Sequence, residues 1–155
     1  MDRSAHKLDL RVEELIRRCR DAGMNVTPQR MAVYRVLLES DDHPSPELLF
    51  QRVRKGMPSL SLATIYKALD ALEGLGLVEQ VATASDSKRF DANGEHHHHL
   101  VCTRCQKVVD LYDERFDSLT APRHLAGFVV QTLTVQVKGL CAACARLTKK
   151  SRRRL

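Results

Sequence analysis

Four of the five cysteines stand in two CxxC pairs, Cys102 with Cys105 and Cys141 with Cys144, separated by residues 106–140. A tight turn can bring the two sulfurs of each pair to one side of an ion, and two pairs supply the four thiolates of a tetrahedral shell. Soft thiolates favour zinc over harder cations, so the spacing predicts one zinc ion per chain. Four protein ligands leave no position for water or substrate, which makes the predicted role structural. A segment of about 60 residues is too small to bury a large core, and zinc binding, worth roughly 10 to 16 kcal/mol in finger peptides, would couple its fold to the metal. A redox switch on the same thiols is the competing use. Cys19 falls instead in the apolar series Leu8, Val12, Leu15, Ile16 and reads as a buried core thiol.

A second set of donors is harder. The run GEHHHHLVC places His96, His97, His98 and His99 immediately ahead of an expected strand, where side chains alternate between faces. One alternate pair, His97 with His99 or His96 with His98, can therefore turn toward one ion. His43, Asp91 and Asp110 are isolated polar residues beside expected turns or strand ends, where side chains can converge. Imidazoles with carboxylates suit iron(II) or manganese(II) as well as zinc, so two metals of different chemistry are implied.

The elements that must position these groups follow from periodicity and caps. Apolar residues at three- and four-residue spacing over 8–22, with Gly23 beyond them, predict a first helix. Thr27 and Pro28 open a second, running to about Ser40, and Ser45, Pro46 and Glu47 open a third that Gly56 and Pro58 end. Ser61 caps a fourth, 61–75, with Ile65, Leu69 and Leu72 on its core side and Gly74 and Gly76 closing it. Strand-like stretches at Leu77–Ala82 and Arg89–Asp91, joined by Thr83–Ser87, read as a hairpin. Helices followed by a hairpin describe a winged helix-turn-helix. The polar stretch Asp91–His96 marks a boundary. Beyond it, strands at Leu100–Cys102 and Val108–Leu111, a helix over Asp113–His124 and a strand over Phe128–Lys138 with Val129, Leu133, Val135 and Val137 on one face are expected.

Charge alone decides little. The net charge is +6, but residues 141–155 hold six Lys or Arg and no acid, leaving the rest balanced. Lys149, Lys150, Arg152, Arg153 and Arg154 read as a solvated, frayed tail that strengthens contact with any polyanion. No run approaches the roughly 20 apolar residues of a membrane span, and the N-terminus lacks the apolar stretch of an export signal, so a cytoplasmic location is expected.

VTPQR at 26–30, DHPSPELL at 42–49, SLATIYKALDALEGLGLV at 61–78, KRFD at 88–91, HHHHLVCTRCQKVVDL at 96–111 and GLCAAC at 139–144 resemble, in order, the ferric uptake regulator (Fur) family, most nearly its peroxide-sensing PerR branch. The resemblance implies an α+β homodimer. Residues 1–91 would form the winged-helix DNA-binding domain, and residues 92–155 a small zinc-stabilised α/β dimerisation domain with a basic tail. His43, Asp91, His97, His99 and Asp110 match the family's regulatory site for iron(II) or manganese(II), which fastens the domains in a shape that fits an operator. Asp110 points to the peroxide-sensing branch, since the iron-uptake regulators usually carry Glu there. In that branch bound iron reacts with hydrogen peroxide and oxidises a ligand, here His43 or His97, after which metal is lost and the repressor leaves DNA.

The departures are specific. Leu133 stands where a distant histidine would complete a third metal site with His96, His98 and Asp117, so that set is not assigned. Asn25 replaces the usual Lys or Arg before TPQR, and Lys67 stands where iron regulators tend to have Arg and peroxide sensors Asn. In helix 61–75 Tyr66 and Lys67 are the expected base-edge contacts, Thr64 and Ser61 can reach phosphate or base, and Arg30 can contact the backbone. A two-fold dimer should prefer an inverted repeat in double-stranded DNA. Neither a membrane nor an organic substrate is expected. An iron- or zinc-uptake repressor without peroxide chemistry is the nearest alternative. A metal hydrolase and a zinc-ribbon adaptor are more distant, for no nucleophile motif or phosphate loop accompanies the ligands and SLATIYKALDAL argues for DNA reading.

Overall fold

The computed structural model describes residues 3–83, 88–131, 133 and 135–152. The chain divides into two compact units, Met1–Gly94 and Glu95–Leu155.

The first unit runs α1 (Arg3–Asp21), α2 (Pro28–Leu38), α3 (Pro46–Val53), α4 (Leu62–Gly74), β1 (Glu79–Val81) and β2 (Arg89–Asp91). Side-chain caps set the starts of three helices. Thr27 accepts the Arg30 amide, Ser45 that of Leu48 and Ser61 that of Thr64, each replacing an intrahelical partner the first turn lacks and each worth about 1 kcal/mol. Proline follows Thr27 and Ser45, where its missing N–H is harmless. At the end of α4, Gly76 has φ +64 and the Leu77 amide reaches back to the Leu72 carbonyl at 3.0 Å, a closure in which the left-handed residue is best a glycine. The apolar faces of the helices share one core that includes Leu15, Cys19, Tyr34, Leu49, Ile65 and Leu69, each fully buried. β1 and β2 pair antiparallel with Gln80 opposite Phe90, and buried Phe90 ties this hairpin to the core. Of the expected turn at Thr83–Ser87, residues 84–87 lie outside the described residues.

The second unit runs β3 (His98–Cys102), β4 (Val108–Leu111), α5 (Glu114–Asp117), β5 (His124–Leu125), β6 (Phe128–Val129), β7 (Gln136–Gly139) and α6 (Ala142–Arg152). β3 is central in a three-stranded sheet, antiparallel to β4 and parallel to β7. Two expectations are corrected here. The helix over Asp113–His124 shrinks to α5, because Pro122 lacks an amide and disfavours helical backbone at Ala121 before it. The strand over Phe128–Lys138 divides into β6, which makes a hairpin with β5 across Ala126 and Gly127 at positive φ, and β7, which joins the main sheet. Val129 and Leu133 are exposed, so no single buried face runs along this segment. Thr132 and Thr134 lie outside the described residues. The basic tail is also helical as far as Arg152, since α6 propagates from the Cys141–Cys144 turn; Arg153 and Arg154 lie outside the described residues.

Candidate metal centres and DNA-reading helix

Two tight turns meet at the four cysteines. The Gln106 amide bonds to the Cys102 carbonyl at 2.9 Å and the Cys102 amide to the Lys107 carbonyl at 2.9 Å, folding the first CxxC back on itself. The second pair opens α6, whose first turn carries the Ala145 amide to the Cys141 carbonyl. The Cys141 amide points at the Cys102 sulfur, at 3.3 Å, and the Cys105 and Cys141 sulfurs are 3.7 Å apart. All four sulfurs lie within 4.8 Å of one another. Thiolates held at about 2.3 Å from a tetrahedral ion would be roughly 3.8 Å apart, so the cradle has the size of zinc.

Its electrostatics also ask for a cation. Backbone N–H groups of Cys105 and Cys141 hold the Cys102 thiol down to about 6, while the Cys144 amide lowers Cys141. Burial, with neighbouring sulfurs, pushes Cys144 up to about 12. Four thiolates cannot coexist at this separation unless a positive charge sits among them, and a divalent ion held by Cys102, Cys105, Cys141 and Cys144 would supply the charge that favours the thiolate form of all four.

The harder donors are placed by strand alternation and by the wing. In the second unit His99 faces Asp110 across the β3–β4 ladder, and His97, two residues earlier, shares its side. The Nε2 atoms of His97 and His99 are 3.0 Å apart, and His97 Nε2 lies 3.7 Å from Asp110 Oδ1. His97 Nδ1 lies 2.8 Å from the Glu95 carbonyl, to which it donates in the tautomer that leaves Nε2 free to ligate, while the Tyr112 hydroxyl donates to Asp110 Oδ2 at 3.3 Å. Two nitrogens bound side by side to one ion at about 2.1 Å would themselves be roughly 3 Å apart, so this trio fits a metal edge.

In the first unit the Phe90 amide donates to the Pro44 carbonyl at 3.3 Å, which sets β2 alongside the loop before α3. That brings His43 Nε2 to 3.8 Å from Asp91 Oδ2, both side chains more than nine-tenths buried. Asp91 Oδ1 accepts the Asn93 amide at 2.7 Å. His43 has φ 47, an uncommon conformation for a residue with a side chain, and its loop is clamped from α3. Arg52 donates Nη1 and Nη2 to the two oxygens of Asp42, at 2.9 and 2.6 Å, and Nη1 also to Ser40 Oγ at 2.9 Å. Sequence reading missed these supporting groups: Arg52 acts from another element, where no local motif marks it, while the Asn93 amide and the Tyr112 hydroxyl each bond a carboxylate two residues earlier, a short-range contact that polar residues make with or without a metal.

The alternate histidines point to the other side of β3. His98 Nε2 is 3.1 Å and His96 Nε2 3.5 Å from Asp117 Oδ1, and the His98 ring packs on Phe116 of α5. Both alternations therefore gather donors, one with Asp110 and one with Asp117.

On α4 the expected DNA contacts lie on and beside the exposed side. Ser61 Oγ caps the helix and is 2.8 Å from Thr64 Oγ1, and Lys67 is exposed. The Tyr66 hydroxyl donates to Glu47 Oε1 at 3.0 Å, which holds the phenol in place and raises its pKa. Arg30 Nη1 donates to the Asn25 carbonyl at the mouth of α2.

The ferric uptake regulator family model matches residues 21–138, well over half of the chain. The chain belongs to the ferric uptake regulator family. The peroxide-responsive repressor PerR of Staphylococcus epidermidis is 32% identical over 145 residues, spanning 93% of this chain and 97% of that protein. Among solved structures, the Campylobacter jejuni peroxide stress regulator shares 31% identity with a TM-score of 0.60, over 76% of this chain and 89% of that one. The Helicobacter pylori ferric uptake regulator Fur aligns with a TM-score of 0.72 over 89% of this chain and 93% of that one, at 24% identity, a likeness of fold. The fold is α+β, with a winged-helix unit and a four-cysteine cluster of the kind that holds structural zinc.

Proposed function

We propose that this protein is a metal-dependent transcriptional repressor that grips DNA as a homodimer, and that His43, Asp91, His97, His99 and Asp110 hold one exchangeable iron(II) or manganese(II) ion. The observation that carries the reading is the division of the donors. His43 and Asp91 belong to the helical unit that bears α4, while His97, His99 and Asp110 belong to the sheet unit that bears the four-cysteine cradle. Neither half-set fills an octahedral shell, so one ion served by both makes the placement of α4 depend on its occupancy.

The residues divide the work accordingly. Cys102, Cys105, Cys141 and Cys144 keep the second unit folded around zinc. His97 and Asp110 are pre-aimed by Glu95 and Tyr112, and Asp91 by the Asn93 amide, so little reorganisation opposes binding. The N-terminal half of α4 enters a major groove, with Tyr66 and Lys67 toward base edges, Thr64 and Ser61 within reach of phosphate, and Arg30 toward the backbone. Two-fold symmetry then selects an inverted repeat. Since DNA is the target, the cytoplasm is the place of action; among the described residues no helix is long and apolar enough to cross a membrane.

Relatives named as peroxide-responsive, at 32% and 34% identity, together with aspartate at 110, favour peroxide sensing. Iron(II) bound there supplies the redox chemistry by which hydrogen peroxide oxidises a neighbouring imidazole. An oxygen added to His43 or His97 alters the ring that must ligate, so the half-sets lose their shared partner and the readers lose their spacing. The event consumes the site without turnover, which makes the protein a sensor and no enzyme. An iron- or zinc-uptake repressor would use the same residues without modification. Exposing iron-loaded protein to peroxide and locating added oxygen by mass spectrometry separates the two. Oxygen on His43 or His97 is expected, and unmodified histidines after metal loss would leave the uptake repressor.

A further inference from the structure

Asp91 is the last residue of β2, and its usefulness as a ligand depends on which way its carboxylate faces. The Asn93 amide donates to Oδ1 at 2.7 Å, an Asx turn that leaves Oδ2 on the side of His43. What holds this turn comes from the other end of the unit. Arg11 of α1 donates Nη2 to the carbonyl of buried Ala92 at 2.8 Å. Gly94 allows the approach, for a Cβ there would overlap Arg11 Nη1.

Arg11 is itself held in a row along α1. Its guanidinium lies 3.5 Å from Glu14, three residues on. Glu14 Oε1 also accepts from Arg18, four residues further, through Nε at 3.0 Å and Nη2 at 2.6 Å. Such spacing puts all three side chains on one helix face. Arg18 Nη1 then donates to the Leu75 carbonyl at 2.7 Å and the Gly76 carbonyl at 3.2 Å, groups at the closed end of α4 that have no partner within the helix. One face of α1 thus touches both the exit of the ligand strand and the exit of the DNA-reading helix.

We infer that Arg11 is a positioning residue for Asp91, and that the Arg11, Glu14 and Arg18 row braces this ligand against the end of α4. The inference rests on the reading of Asp91 as a ligand of the exchangeable ion. Residues that orient metal ligands are worth 10- to 100-fold in affinity when removed, and a single hydrogen bond to a backbone carbonyl belongs at the low end of that range.

The test uses the full-length, zinc-loaded chain, with calorimetric titration of manganese(II) and hydrogen exchange of the Asn93 amide before manganese is added. Arg11→Met should weaken manganese binding about tenfold and speed Asn93 exchange, with the zinc content unchanged. Arg11→Lys, which keeps one donor, should recover part of both. Gly94→Ala, whose methyl displaces the guanidinium, should reproduce the loss, and the Arg11→Met/Gly94→Ala double variant should be no worse than either single one. Arg11→Met or Gly94→Ala with parental affinity and parental Asn93 protection, where Asp91→Asn abolishes binding, overturns the brace and leaves the ion site standing. A parent chain that binds no manganese instead defeats the ion site, and the Asn93 exchange rates then decide the brace alone.

Discussion

Replacing Arg52 by methionine asks whether the loop that carries His43 is held from outside. The guanidinium fork reaches both oxygens of Asp42 and the hydroxyl of Ser40, so three hydrogen bonds disappear while the aliphatic stem is kept. The Arg52 and Asp42 side chains are 33% and 45% exposed, and solvent screening limits their ion pair to about 1 kcal/mol. The Ser40 bond adds roughly 0.5 to 1 kcal/mol. Against this, the left-handed backbone at His43 stores about 1 kcal/mol of strain, which the free loop can release. The clamp and the strain are therefore of similar size, and without Arg52 the loop should leave the ligating conformation. If manganese binding must then supply that ~1 kcal/mol to restore it, affinity falls about fivefold. Arg52 also holds the Asp42 carboxyl below its ordinary value, chiefly through their hydrogen bonds. A depressed folded value means that the contribution is complete above the unfolded pKa of about 3.9 and disappears as pH falls through the folded one. Urea denaturation should thus show Arg52→Met less stable by about 0.5 to 1 kcal/mol at pH 7, with the difference shrinking below about pH 4. Parental manganese affinity in a variant that is measurably less stable would refute the idea that the clamp presents His43.

Two further outcomes follow from the cradle and the cap. Cys144→Ser, or prolonged treatment with a strong chelator, should remove the zinc and melt the second unit, seen as lost helical circular dichroism; unchanged dichroism would show that this unit folds without metal. Ser61→Ala removes the acceptor of the Thr64 amide and should cost about 1 kcal/mol of stability in urea while weakening DNA binding, whereas a variant with parental stability would mean that the start of α4 is fixed by packing alone.

Much of this was legible because it is written locally. Thr27, Ser45 and Ser61 announce three helix starts, Gly76 an end, and the two CxxC pairs a metal cradle, since each signal is confined to one turn of chain. The alternation of His96 to His99 showed that donors divide between two faces, but by itself not which carboxylate each face meets; the family resemblance named Asp110 and Asp117, and the structure brings the first through β4 and the second through α5. The helix expected over Asp113–His124 and the strand expected over Phe128–Lys138 were misread because Pro122 interrupts the first, while the Ala126–Gly127 turn pairs the start of the second with β5 and leaves only its end to join β3. Arg11, Arg18 and Arg52 carried no signal at all, for an arginine that reaches a carbonyl on another element is indistinguishable in sequence from a solvated one.

If one ion draws donors from both units, as proposed, its occupancy sets whether two α4 helices can grip a duplex together. The direct measurement is the affinity of zinc-loaded protein for an inverted-repeat duplex, titrated with manganese(II), for the parent and for His43→Ala and His99→Ala, one donor taken from each unit. The parent should gain at least about tenfold in DNA affinity on binding one manganese per chain, reversibly on chelation, and both variants should lose that gain. Metal-dependent binding that survives in either variant would contradict a shared ion.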